Sequence, residues 1–545
     1  MENDISTDAQ FGFKKGHSTV DAIYILHTLI SKQLSHGKKL YCTFVDFKKA
    51  FDHVYLQGLW YKLVKSGFSG KIFKVIMSMY SDVKSCIRHN NLYSNFFKCS
   101  IGLRQGEVLS PILFSLFLND IELKFQANID AGISLEDLNL YTLLFADDMV
   151  LFSETIEGLQ KSLHMLYEYC SEWNIEVNIE KTKCMVFRKC KRLTGKEEWF
   201  FGNKCLENTD TFTYLGTLFN YNGLFTKNTQ YLAGKGVKAM HSLFSLLKDK
   251  YLSLSVICNL FDTCVSPILS YGSEVWSFHK GLELERIHKK FMKRILNLNI
   301  TANDAAVYGE LGRFSLITER YVKIVKYWFK LVNTNNCILS ACYKYLLDDC
   351  IRNNSINWVS LVRETLCKYG FMDVWLSPQN INVTHFTSIF GERIRDTFIS
   401  EWRTNLTSSS KLWLYKEIKQ YQYVYEDYLD KILNIKHRQA LTKLRCSSHN
   451  LFIEMYRHGP CRKEKKDRIC LSCNIKDIED EYHFLLICPA YQIIRQKLIK
   501  SYYWKKPSVY KCILLLTSNS VKEIRKVAKF VYDAFQIRQQ TVYNV

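Results

Sequence analysis

The residues best placed to do chemistry are Asp147 and Asp148, adjacent acids that interrupt the ten-residue apolar run Leu143-Leu144-Phe145-Ala146-Asp147-Asp148-Met149-Val150-Leu151-Phe152. Two unit charges about 4 Å apart at an effective dielectric of about 20 repel by roughly 4 kcal/mol. Neighbouring carboxylates respond by raising a pKa or by sharing a cation. A divalent metal explains the pair, and so does a plain hairpin whose Asp-Asp turn is solvated. A third acid favours the metal. Residues 40–45 form another apolar run, which ends in Asp46 and continues Phe47-Lys48-Lys49-Ala50-Phe51-Asp52. A strand that delivers one carboxylate beside a hairpin presenting two more can bind two metal ions for in-line displacement at phosphorus.

A second constellation lies near the C-terminus: Cys470-Leu471-Ser472-Cys473, then His483, then Cys488-Pro489. Three thiols and an imidazole with a Cys-x-x-Cys start suit a closed tetrahedral zinc site with no open position for catalysis. The alternatives are cysteines that simply pack among helices, or Cys461 as a substitute ligand. The preceding residues 462–468 are rich in Lys and Arg and suit contact with nucleic acid.

The elements that position these groups are partly legible. The acidic run reads as strands over 141–146 and 149–152 around a tight turn, where Asp tolerates unusual backbone angles. In 102–111, Gly102 and Gly106 allow close backbone approach. Ser110-Pro111 there reads as an N-cap and first-turn proline opening a helix over 112–118. Beyond about residue 225 the apolar spacing turns helical, with Met240, Leu243, Phe244 and Leu247 on one stripe. Arg286, Lys289, Lys290, Lys293 and Arg294 fall on one helix face opposite Leu284, Ile287, Phe291 and Ile295. That cationic row could follow a phosphate backbone or be an ordinary solvated face.

The ordered blocks Gln10-Phe11-Gly12-Phe13, Phe44-Val45-Asp46 to Ala50-Phe51-Asp52, Gly102-Leu103-Arg104-Gln105-Gly106 with Leu109-Ser110-Pro111, and Phe145-Ala146-Asp147-Asp148 resemble the reverse transcriptase of non-LTR (LINE-type) retrotransposons. Residues 178–183 and 212–216 resemble the next two blocks, so the likeness is close over 8–220. It continues more loosely through 267–276 and 308–313. The resemblance implies an α+β fold: a right-hand polymerase palm made of an antiparallel sheet with packing helices, partial fingers, a helical thumb-like region and a helical C-terminal part with a small zinc module. The expected division is fingers and palm over 1–225, thumb over 226–345, a connecting region over 346–435, the Cys/His module over 436–500 and a terminal helical segment over 501–545.

The same resemblance assigns roles. Asp46 and Asp147 would carry two magnesium ions, with Asp148 a weaker participant, and Lys181 would steady or protonate the pyrophosphate leaving group. Phe51 would lie under the incoming sugar and exclude a 2′-hydroxyl; its bland reading is a core ring. Arg104, Gln105 and Gly106 would face template and nucleotide, and Tyr214-Leu215-Gly216 would grip the primer end. The implied partners are an RNA template, a DNA primer or target and deoxynucleoside triphosphates. One zinc ion on Cys470, Cys473, His483 and Cys488 would be structural. The implied activity is RNA-directed DNA polymerisation. A catalytically silent nucleic-acid-binding remnant is the alternative, because relatives usually carry a further fingers segment upstream. An RNA-templated RNA polymerase is opposed by Phe51.

Composition agrees with a polyanionic partner. Lys plus Arg number 74 against 53 for Asp plus Glu, a net charge of +21, and the pI is near 9.1. Charge alone does not separate nucleic acid from an anionic membrane surface. The 545 residues contain six prolines and nineteen cysteines. They show no signal peptide and no apolar span of about 18 residues, so the expectation is no membrane, reduced thiols and a place in nucleus and cytoplasm.

Overall fold

The computed structural model describes residues 7–126, 132–190, 192–193, 195–248, 252–278, 281–420, 422–458 and 460–543. The chain forms two compact units. Unit 1 comprises residues 1–231, 271–279 and 320–387, and unit 2 comprises 232–270, 280–319 and 388–545.

Unit 1 is built on a five-stranded sheet. Its strands are β1 (Leu40–Asp46), β2 (Thr142–Phe145), β3 (Asp148–Ser153), β4 (Lys183–Phe187) and β5 (Glu207–Asn208), in spatial order β5-β4-β1-β3-β2. A central strand covered on both faces needs apolar side chains at successive positions rather than in alternation. The run Leu40-Tyr41-Cys42-Thr43-Phe44-Val45 supplies them, and all six are buried. The sheet is antiparallel except for the short β4–β5 pairing, which is parallel. Strand register gathers the acids: Asp46 lies opposite Asp148, and Phe145 lies opposite Asp148 on the other side. The expected strand over 149–152 thus begins one residue earlier, because Asp148 is itself a paired strand residue.

Three helices matter for the site: α1 (Thr19–Ser35), α2 (Ser110–Leu118) and α3 (Ile156–Glu172). Helix α1 packs on β1 and β2, and α3 on β1 and β3. The buried Asp21 in the first turn of α1 accepts from Tyr327 Oη at 3.0 Å and from Lys330 Nζ at 2.5 Å, which ties residues 320–387 to the same unit. Helix α2 starts earlier than expected. Ser110 is its first residue rather than its cap, and Leu109 stands at the cap position with no side-chain bond. The Ser110 hydroxyl instead donates to the Arg104 carbonyl at 2.6 Å, pinning the preceding loop, while Pro111 sits in the first turn as expected.

Unit 2 is helical; its described residues contain no strand pairing beyond isolated bridges. Burial of charge is its main local feature. Arg445, fully buried, donates to Glu310 Oε1 at 2.8 Å, to the Leu516 carbonyl at 2.7 Å and to Glu426 Oε2 at 2.5 Å. Lys419 Nζ reaches Glu426 Oε1 at 2.6 Å. Burial alone would raise Glu426, but Arg445 and Lys419 outweigh it and hold the carboxyl below its ordinary value. Two predicted stripes also take definite form. Met240 and Leu243 are buried on a helix that spans Thr226–Leu246 and stops before Leu247. Three of the five cations in the row on Leu282–Ile295 are engaged within the protein: Lys289 and Lys293 both pair with Asp304 at 2.8 Å, and Arg294 lies 4.0 Å over the Phe244 ring. Arg286 and Lys290 remain exposed.

All nineteen cysteines are free. Among the described residues no helix is long and apolar enough to cross a membrane. Lys191, in the basic segment after β4, lies outside the described residues.

Candidate active site

The β2–β3 hairpin turns at Ala146-Asp147, and the tightness of the turn forces Ala146 to a positive φ of 57°. Gln10 holds this turn. Its side chain is buried, and its Oε1 accepts from the Ala146 N–H at 3.1 Å and the Gly12 N–H at 2.8 Å. On either side, Phe11 N–H donates to the Leu144 carbonyl at 2.8 Å and Leu144 N–H to the Ala9 carbonyl at 2.9 Å. Gly12 is required by contact rather than by φ: a Cβ there would stand 2.2 Å from the Ala146 nitrogen. The Gln10-Phe11-Gly12 block is therefore the clamp on the acidic turn, a role not visible in its residue types.

Asp46 is held from the other side by the turn at 178–182. Asn178 N–H donates to the Asp46 carbonyl at 2.8 Å, and Asp46 N–H to Thr182 Oγ1 at 3.2 Å. The Asn178 side chain accepts from Lys181 N–H at 3.4 Å, and Thr182 N–H closes the turn on the Asn178 carbonyl at 2.9 Å. This places Lys181 Nζ 3.7 Å from Asp46 Oδ2, with the lysine side chain 70% exposed. Asp148 is the electrostatically stressed acid. Although the residue keeps contact with solvent, its carboxyl is pushed up to about 6, first by desolvation and then by Asp147 and Asp46. Asp148 is thus under-neutralised, the condition a bound divalent cation relieves.

The loop after β1 lies beside the 102–106 block. Leu103 N–H donates to the Phe51 carbonyl at 2.7 Å, and a Cβ on Gly102 would meet the Asp52 carbonyl at 2.4 Å. Gln105 Nε2 donates to Asp52 Oδ1 at 2.9 Å. Arg104 is exposed, bonds the Met79 carbonyl and lies 3.5 Å from Glu107. Gly106 has φ +86° and open space around it. Phe51 stacks on Phe114 with centroids 4.6 Å apart and stays half-buried, so one part of the ring belongs to the core and the rest remains accessible.

Tyr214, Leu215 and Gly216 form the tip between β6 (Thr211–Tyr214) and β7 (Thr217–Asn220). Leu215 and Gly216 both have positive φ, 45° and 81°, as a two-residue hairpin turn matching strand twist requires. The hairpin docks on the sheet through Phe44, two residues before Asp46, whose ring stacks on Phe212 at 4.2 Å and meets Tyr214 at 5.6 Å. Sequence reasoning missed its brace, Tyr271. This hydroxyl donates to the Leu215 carbonyl at 2.9 Å and lies 3.1 Å from Thr19 Oγ1, and its ring leaves no room for a Cβ on Gly216. The only signal was the block over 267–276 that contains it.

In unit 2, the donor atoms of Cys470, Cys473, His483 and Cys488 all lie within 4.8 Å of one another. Cys470 Sγ is 3.9 Å from Cys488 Sγ, and Cys473 Sγ is 3.5 Å from His483 Nε2. The Cys470 thiol is pushed up to about 12, by its bond to Cys488 and then by burial. Asp477 Oδ2 lies 3.6 Å from His483 Nδ1, beyond hydrogen-bond distance, and buried Arg495 fixes the backbone by donating to the carbonyls of Leu485 and Cys488 at 2.8 and 2.9 Å. Cys461 is exposed and outside the cluster, so it is not the substitute ligand.

Residues 2–219, which contain the sheet and its three acids, match the family described as reverse transcriptase (RNA-dependent DNA polymerase). More particularly, the relatives to which it is similar are RNA-directed DNA polymerases of non-LTR, LINE-type elements. The chain is 28% identical to the probable RNA-directed DNA polymerase from transposon BS of Drosophila melanogaster, over 52% of this chain and 32% of that protein. It is 25% identical to the RNA-directed DNA polymerase from mobile element jockey of Drosophila funebris, over 51% and 30%. It thus spans about a third of the length of these relatives. A telomerase from Candida tropicalis, solved with a fragment of telomeric RNA, aligns at a TM-score of 0.31 and 15% identity over 63% of this chain and 54% of that one.

The clamp and the repulsion each have a measurable consequence. Gly12→Ala forces the Ala146 backbone to move and should destabilise the chain by about 3 kcal/mol or more, read as a lowered urea midpoint. Asp148 has a folded pKa above its unfolded one, so its ionisation opposes folding: the cost is absent below about pH 4 and complete above about pH 6. Asp148→Asn, in EDTA, should therefore raise the melting temperature by about 3 °C at pH 7, and the gain should vanish as pH falls through that window. A gain independent of pH would refute the repulsion.

Proposed function

We propose that this chain synthesises DNA on an RNA template, adding deoxynucleotides to a primer 3′-hydroxyl. The observation that carries the proposal is the register that sets Asp46 opposite Asp148, beside Asp147, with Lys181 next to Asp46. In this reading unit 1 contains the palm and fingers segments of a right-hand polymerase. The division at 225, 345, 435 and 500 into palm, thumb-like, connecting, Cys/His and terminal segments is one of roles along the chain, not of compact units.

Asp46 and Asp147, with Asp148 as the weaker participant, are the residues that would hold two magnesium ions, which when bound supply charge neutralisation for in-line displacement at phosphorus. The chain's own residues do the rest. Lys181, exposed beside Asp46, steadies the charge that develops on the pyrophosphate. Arg104, Gln105 and Gly106 face template and nucleotide; the Gln105–Asp52 bond would orient that loop. Phe51, anchored on Phe114, presents its accessible edge to the sugar and selects deoxynucleotides. The turn at 214–216, braced by Tyr271, supports the primer end. The partners are an RNA template, a DNA primer or target and deoxynucleoside triphosphates, and the place of action is the nucleus and cytoplasm. Cys470, Cys473, His483 and Cys488 would hold one structural zinc ion, since four soft or borderline donors with no open position suit that metal.

The decisive measurement is primer extension on an RNA template with magnesium. Wild type should incorporate deoxynucleotides and Asp147→Asn should lose at least about a thousandfold; well-folded wild type with no incorporation would favour the silent nucleic-acid-binding remnant. For the second site, elemental analysis should find one zinc per chain, and Cys473→Ser should lose it while extension is largely kept. Zinc retained in that variant would remove Cys473 from the ligand set.

A further inference from the structure

Outside both sites, unit 2 holds a cavity of about 540 Å³, a volume within the range of ligand pockets. Two helices form its walls with matching stripes. Lys436, Gln439, Ala440 and Lys443 recur at one-face spacing on the helix Ile435–Arg445. Tyr532, Phe535, Gln536 and Gln539 do the same on Val521–Tyr543, which packs against it. Asn297, Asn299 and Asn450 also line it. No Asp or Glu is among the described lining residues. The charges facing the cavity are not cancelled from within. Arg538 is neutralised by a bidentate pair with Glu479 at 2.7 Å, and His449 is held by Glu481 at 3.1 Å. Among the described residues Lys436 and Lys443 have no side-chain hydrogen bond or ion-pair partner, although Lys443 is half-buried. Phe535 is fixed by stacking on Phe484 at 4.7 Å, and Tyr532, also lining the cavity, is half-exposed.

We propose that this cavity binds a single-stranded polynucleotide, with Lys436 and Lys443 on phosphates, Tyr532 against a base and the surrounding amides on base edges. Free ammonium groups alone would take any polyanion. The addition of an aromatic platform and donor-acceptor amides in the same cavity is what a strand with π-faced, hydrogen-bonding bases requires, and an acidic peptide does not. This site is independent of the polymerase reading: none of its residues belongs to unit 1.

The test uses the full chain with its polymerase site occupied by an excess of unlabelled primer-template hairpin. Binding of labelled ten-nucleotide single strands, RNA and DNA in separate arms, is followed by fluorescence anisotropy across salt concentrations. Lys436→Gln with Lys443→Gln should weaken binding about tenfold and flatten the log–log salt slope by about 1.4. Tyr532→Ala should weaken it about tenfold with the slope unchanged. Melting temperatures and primer extension on the hairpin should match wild type in both. The two arms show whether RNA or DNA is preferred. Unchanged affinity in both variants overturns the proposal. So does a lysine effect without a tyrosine effect, with polyglutamate competing as well as the oligonucleotide, because the cavity would then be a general anion site.

Discussion

Like-charge repulsion among Asp46, Asp147 and Asp148 is the constraint around which unit 1 is organised. Three carboxylates gathered at one end of a sheet would separate if the backbone allowed it, and the backbone is prevented from doing so on both sides. Gln10 and the glycine at 12 lock the turn that carries Asp147. The turn at 178–182 locks Asp46 by bonds to its own amide and carbonyl. None of these bonds is made to a carboxylate oxygen, and only Lys181, at 3.7 Å from Asp46 Oδ2, stands near one with opposite charge among the described residues. The cost of the arrangement appears on Asp148, and it is the property that makes the site receptive to cations.

Unit 2 shows the opposite treatment of charge. Its buried ions are satisfied internally: Arg445 is shared between Glu310 and Glu426, and Arg538 is matched by Glu479. Breaking one partner of such a pair leaves an uncompensated buried charge, so these groups bind the helices to a single packing arrangement more than they add net stability. Glu479 also accepts from the Phe452 N–H and lies 3.9 Å from the Cys470 thiol. The terminal helix is therefore fastened to the same segment that carries the cysteine cluster.

The net charge of +21 is accordingly not a uniform coat. Part of the row on the helix Leu282–Ile295 is taken up by Asp304 and Phe244. Lys436 and Lys443, by contrast, have no hydrogen-bond or ion-pair partner among the described residues and line a cavity. Helical periodicity identifies a face, but which cations on it are free depends on what residues distant in sequence bring to that face.

By itself the sequence determined the acids, the strand runs that carry them and the four-residue Cys/His set, because these depend on residue type and short spacing. Apolar continuity over 40–45 could only be a buried strand or helix segment, and an acid at its end and two more in a second run left little else to read. The tertiary structure decided the rest. Gln10 as clamp, Tyr271 as brace and Thr182 as the acceptor for Asp46 act across tens to hundreds of residues through backbone groups, which every residue type possesses. Ser110 looked like a helix cap because its type suits one, but it is the first helical residue and its hydroxyl donates to the Arg104 carbonyl. Cys461 had the chemistry of a ligand and lacked the position. Residue type sets which interactions are available; long-range packing sets which of them are made.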